Sequence, residues 1–142
     1  MALDFPSDEW IAAYKDAINA NAEYRKAGKD WAHGVVAMVV KAEPNIGIPE
    51  DLAMWLDVHE GVCRDCKLMP AKEAEEKAPF VLVASYAQWK QVIMKEVDPT
   101  KALMQGKLKL AKGHMPTMVK YVNASKQLVE STTRVPTKFR GE

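Results

Sequence analysis

Residues 85–122 read SYAQWKQVIMKEVDPTKALMQGKLKLAKGHMPTMVKYV, and the punctuation of this run decides how the rest of the chain is read. Ser85, followed three residues later by Gln88, is a capping-box pattern, in which side chain and backbone satisfy each other at a helix start. The helix it opens carries Trp89, Val92 and Ile93 on one face. Asp98-Pro99 restarts the chain as an N-cap and a first helical residue, where proline loses no hydrogen bond. Gly106 ends this second, short helix. Leu108 and Leu110 then alternate with Lys107 and Lys109, the period of a strand with leucines inward and lysines outward. Pro116 lies near the first turn of a last helix, in which Met115, Met118, Val119, Val122 and Val129 recur at helical spacing. No obvious catalytic group stands among them. Flexible apolar side chains on helices beside a sheet suit a pocket for an apolar guest better than a reaction centre.

Working outward, Ser7 is a good N-cap with Asp8 and Glu9 in the first turn, where the helix dipole favours negative charge. Trp10, Ile11, Tyr14, Ile18 and Asn21 recur at helical spacing, and Gly28 supplies a stop. This first helix is expected to lay its stripe on a sheet. Gly34 to Lys41, GVVAMVVK, is apolar on both alternating faces and reads as a central strand. After the loop EPNIGIPE, Leu52, Met54, Leu56 and Val58 alternate with Ala53, Trp55, Asp57 and His59. Glu60-Gly61 turns that strand into a hairpin with a return strand over about 62–69. AKEAEEKA, residues 71–78, reads as a solvated connection of helix-forming composition, and FVLVA, residues 80–84, as a short buried strand. The tail from residue 130 is weakly patterned and is expected to be partly mobile. The order implies an α/β (α+β) domain spanning residues 1–142, with about five mostly antiparallel strands covered on one face by helices.

Composition excludes several classes of function. A net charge of +1 offers no general attraction to nucleic acid or to an anionic surface. MALDFPSDEW has neither the basic start nor the apolar core of a secretory signal. No stretch approaches the ~20 apolar residues of a membrane span, so no integral membrane segment is expected. Two cysteines without a sign of export point to a cytoplasmic protein. There is no GxSxG, P-loop or GxGxxG, and His33, His59 and His114 share no metal-binding spacing. Neither a cofactor nor a catalytic residue is expected.

Cys63 and Cys66 form one C-x-x-C, in GVCRDCKL, near Asp57, His59 and Asp65. A structural zinc site takes about four ligands, and there is no second cysteine pair. On a regular strand, residues three apart point to opposite faces, about 10 Å apart. Unless a bulge or turn intervenes, the two thiols could neither bridge nor share a metal.

Taken together, the elements resemble the sterol carrier protein type-two (lipid-transfer) domain family from about Ser7 to Val129. The strongest match is Asp98-Pro99, Ala102-Leu103-Met104, Gly106-Lys107-Leu108-Lys109-Leu110 and Gly113, a DP-x-x-AL-x-x-GKLKL-x-x-G signature. The resemblance implies a sandwich with a hydrophobic tunnel between sheet and helices, holding sterols, fatty acids, acyl-CoA or similar lipids without covalent chemistry. Carried onto this chain, it makes Trp89, Val92, Ile93, Leu103, Met104, Met115, Met118, Val119 and Val122 the pocket candidates. The alternatives are a non-catalytic accessory subunit that delivers or shields an apolar substrate for an enzyme partner, with Trp55 exposed if its strand lies at a sheet edge, and, behind it, a metal or thiol protein using Cys63 and Cys66.

Overall fold

Val36–Val40 (β2) is buried at all five positions, as a strand must be when it lies mid-sheet with both faces covered. On one side it pairs antiparallel with Leu52–His59 (β3), which pairs in turn with Val62–Pro70 (β4). On the other it runs parallel to Phe80–Ala84 (β5), and Lys109–Lys112 (β6) closes that edge antiparallel. The sheet is therefore mixed, in the order β4-β3-β2-β5-β6. The structure is a computed structural model and describes residues 2–139, with only the backbone of Pro99 described.

The β3–β4 turn forms where the sequence places it. Glu60 and Gly61 take φ of 50° and 82°, the left-handed values a two-residue hairpin turn needs to match strand twist. Trp55 is half-buried, with the Lys67 ammonium 5.9 Å from its ring centroid. Its strand is second in the sheet, so the edge position on which an exposed Trp55 depended is not met: β4 is the edge on that side.

Main-core residues from Asp8–Ala20 (α1), Ala22–Ala27 (α2), Tyr86–Ile93 (α4), Pro99–Met104 (α5), Met115–Lys120 (α6) and Val122–Glu130 (α7) cluster on one face. Val36, Met38 and Val40 of β2 meet them there, beside Trp10, Tyr14 and Trp89. The opposite face carries Ala37, Val39, Ala53 and Val81, covered by Ala71–Lys77 (α3) and the following Ala78. Residues 71–78 are thus more than a solvated connection. Ala71, Ala74 and Ala78 recur at helical spacing and are buried, and their small side chains let the backbone lie close to the sheet.

Two helices read as continuous are broken. Asn21 ends α1 and starts α2, its side-chain oxygen accepting from the Glu23 and Tyr24 N–H groups. Tyr121, at φ −104° and ψ 29°, separates α6 from α7. The last residues are also more ordered than their pattern suggests. A 3-10 turn at Ser131–Arg134 leads to Thr137–Phe139 (β7), which runs parallel to Leu3–Phe5 (β1). Phe5, Val135 and Phe139 are buried. The part of the expected mobile tail at residues 140–142 lies outside the described residues.

Candidate functional site

An apolar recess of about 190 Å3 lies at the β6 edge of the sheet, beside the start of that strand. Its floor is Leu82 of β5 with Leu108 and Leu110, and its walls are Leu103 and Met104 of α5, Met115, Met118 and Val119 of α6, and Val122 of α7. Every lining side chain is apolar.

Local chemistry sets each wall. The Asp98 carboxylate accepts from the Lys101 N–H at 3.2 Å and starts α5. The chain then doubles back through Gly106 at φ 76°, and both Lys107 and Leu108 N–H groups donate to the Ala102 carbonyl, at 2.9 and 3.1 Å. This return buries Leu108 against Ala102. Leu110 stands opposite Leu82 in the β5–β6 ladder, so two leucines form one floor. Gly113, at φ 131°, lets the chain pass Phe80; a Cβ there would lie 2.5 Å from Phe80 Cδ1. At the start of α6, His114 Nδ1 and Thr117 Oγ1 share a hydrogen bond of 2.9 Å.

Six of the nine side chains singled out from the sequence meet here: Leu103, Met104, Met115, Met118, Val119 and Val122. Met104, Met115 and Val119 form the mouth and are 81%, 56% and 63% exposed. Trp89, Val92 and Ile93 are not in the wall. They are buried in the core, where Trp89 Nε1 donates to the Val39 carbonyl at 2.9 Å. Leu82, Leu108 and Leu110 are wall residues absent from that set, although the inward alternation of Leu108 and Leu110 signals them.

Three other recesses are larger: one of about 230 Å3 with Lys95, Asp98 and Glu130 among its walls, and two of about 380 Å3 each. One of these two lies between Pro6, residues 47–52 and residues 68–70. Its Asp51 is committed to holding the loop, accepting from Ala42 N–H at 2.7 Å and pairing with Lys41 at 3.5 Å. The other is a polar surface hollow with Glu23, Lys26, Lys126 and Gln127 on its walls. Size alone therefore does not locate a site for an apolar guest; of these, the recess beside β6 is the one lined by apolar side chains alone, whereas Glu50 and Asp51 interrupt the one beside Pro6.

At the cysteines a bulge does intervene. The β3–β4 register shifts between Asp57 and Val58, and this bulge places both thiols inside, with their sulfurs 2.9 Å apart. The contact with Cys63, then burial, push the Cys66 thiol well above its ordinary pKa. Burial does the same to the Tyr14 and Tyr24 phenols beside them, with the thiols adding to the effect. The residues near them in sequence have partners of their own: Asp57 pairs with Arg64 at 2.9 Å and His59 with Glu60 at 3.6 Å. Among the described residues no group of three or more His, Cys, Asp or Glu is placed to hold a metal ion.

A mixed five-stranded sheet with helices over its main core and an apolar recess at one edge defines an α+β sandwich of the sterol-carrier type. The chain belongs to the SCP-2 sterol transfer family, whose sequence profile matches residues 12–126. A crystal structure of sterol carrier protein 2 is 35% identical, with a TM-score of 0.82 over 91% of this chain and 97% of that one. A conserved hypothetical protein of Thermus thermophilus, described as possibly a sterol carrier protein, is 34% identical, with a TM-score of 0.79 over 93% and 90%. Apo sterol carrier protein 2 of Yarrowia lipolytica, 16% identical with a TM-score of 0.52 over 87% and 88%, shares the fold. No curated protein matches the chain. Among the described residues no helix is long and apolar enough to cross a membrane.

Proposed function

We propose that this chain binds the hydrocarbon part of a lipid in the recess between α5, β6, α6 and the start of α7, and carries it without a covalent step. The supporting observation is the lining: nine side chains, all apolar, three of them largely exposed at the mouth. The names of the similar structures agree with a sterol, and the same walls suit a fatty acyl chain. The hydrophobic tunnel implied by the resemblance belongs to this proposal.

The recess of about 190 Å3 is narrower than the ~300–1,000 Å3 typical of ligand pockets. Binding therefore requires Met104 and Met115 at the mouth to swing aside, and unbranched thioether side chains do this at low cost. Each buried methylene contributes about 0.8 kcal/mol, and a micromolar complex requires about 8 kcal/mol. About ten methylenes are needed before ordering costs are counted, which selects long-chain guests.

Displacement of a fluorescent fatty acid by saturated fatty acids of increasing length tests the reading. The dissociation constant should fall about fourfold per added methylene until the chain fills the opened recess, then level off. Affinity that is independent of chain length would overturn the proposal.

A further inference from the structure

The function proposed above leaves the buried thiols unused. On a regular strand Cys63 and Cys66 would point to opposite faces. In β4, Cys63 stands opposite Val58 and Cys66 opposite Leu56, and Arg64 is the extra residue that resets the alternation. Asn19 of α1 fixes the Cys63 backbone, accepting from its N–H at 2.8 Å and donating to its carbonyl at 3.0 Å. The sulfurs thus face each other at 2.9 Å beneath α1, within about 1 Å of the disulfide bond length.

We propose that Cys63 and Cys66 are a dithiol site that a small hydroperoxide converts into an internal disulfide. Burial selects the oxidant: Cys63 is 1% and Cys66 9% exposed, so a bulky disulfide reagent is shut out while hydrogen peroxide is water-sized. Cys66, the more open thiol, reacts first. It gives its proton to water, and its thiolate attacks one peroxide oxygen and breaks the O–O bond. Cys66 becomes a sulfenic acid, and the departing hydroxide becomes water. The Cys63 sulfur then displaces the sulfenic hydroxyl, which leaves with the Cys63 proton as a second water. Two thiols and one peroxide yield one disulfide and two waters, with two electrons passing from sulfur to oxygen. Tyr14, Tyr24, Lys15 and Asp65 are the titratable groups acting on the pair. Burial and the neighbouring thiol keep Cys66 protonated, so the reaction is slow beside that of a surface thiolate.

The test treats the folded full chain with hydrogen peroxide, stops the reaction with catalase, unfolds and alkylates the protein, and maps its peptides by mass. The expected product is a monomer whose 63–66 peptide has lost two hydrogens and takes no alkyl group, and dithiothreitol restores both alkylations. Peptide mapping keeps this product distinct from methionine sulfoxide. In Cys63→Ser, Cys66 should stop at oxygen adducts that dithiothreitol does not convert into a dithiol. Three outcomes overturn the proposal: both thiols still alkylated once exposed Met104 is fully oxidised, oxygen adducts on wild-type cysteines without the disulfide, or a disulfide that forms only in urea. Each is read on wild-type protein and holds whether or not the variant folds, and none depends on lipid binding.

Discussion

Asn21 is fully buried, and each end of its amide has work. Its oxygen accepts from Glu23 and Tyr24 N–H at 3.0 and 3.2 Å, and its nitrogen donates to Ser131 Oγ at 3.0 Å. One side chain thus starts α2 and ties it to the turn after α7. Asn21→Ala removes a cap and leaves buried donors unpaired, which costs about 2–3 kcal/mol; the urea unfolding midpoint should fall accordingly. Met104 is the opposite case, 81% exposed at the mouth of the recess. Met104→Glu should change stability by less than about 0.5 kcal/mol and weaken fatty-acid probe binding at least about tenfold, since a carboxylate at an apolar wall resists desolvation. Equal loss of stability and binding would show that Met104 acts structurally. The division of the nine sequence-derived residues between recess and core has the same physical root. Helical spacing reports which side chains turn inward, so it finds Trp89, Val92 and Ile93, but it does not say whether they meet a void or the filled core.

Elements differ in how openly the sequence declares them. The β3–β4 hairpin is legible because Glu60-Gly61 sits between two alternating runs. Gly61 is also held from outside: at φ 82°, an added Cβ would lie 2.6 Å from the Arg25 carbonyl oxygen of α2. Gly61→Ala should therefore cost more than about 1 kcal/mol, measured as a lower thermal midpoint with loss of α2 protection in amide exchange. The bulge in β4 is illegible for the converse reason: one extra residue breaks a period of two without any turn residue to announce it. The three-residue strands β1 and β7 carry too little pattern to find each other, as their pairing joins residues far apart in sequence. In α3, charged residues mask the alanine stripe that covers the second face of the sheet.

At the scale of the molecule, the aromatic core makes stability depend on alkaline pH. Tyr14 and Tyr24 are held above the ordinary phenol pKa near 10, chiefly by burial and then by the nearby thiols. The unfolded chain ionises near 10 and the folded one does not, so this stabilisation is complete below pH 10. It is lost as pH rises further, by at most about 1.4 kcal/mol per pH unit per tyrosine. Urea midpoints should fall above pH 10, and the tyrosinate absorbance of these two residues should appear together with unfolding. Fluorescence midpoints that stay flat through pH 11 would contradict the assignment.

β6 is both a wall of the recess and an outer edge of the sheet. The pieces around it are short, with six residues in α5, four in β6 and six in α6. They can move outward by giving up the β5–β6 ladder while the pairing of β2 with β3 and β5 stays whole. On the proposed lipid-binding reading, the size of guest admitted is governed by a local opening free energy, which is separate from the free energy of unfolding the domain. Substitutions in the central sheet and at this border should therefore act on different quantities. The first set changes how long the fold lasts, and the second changes how generously it opens.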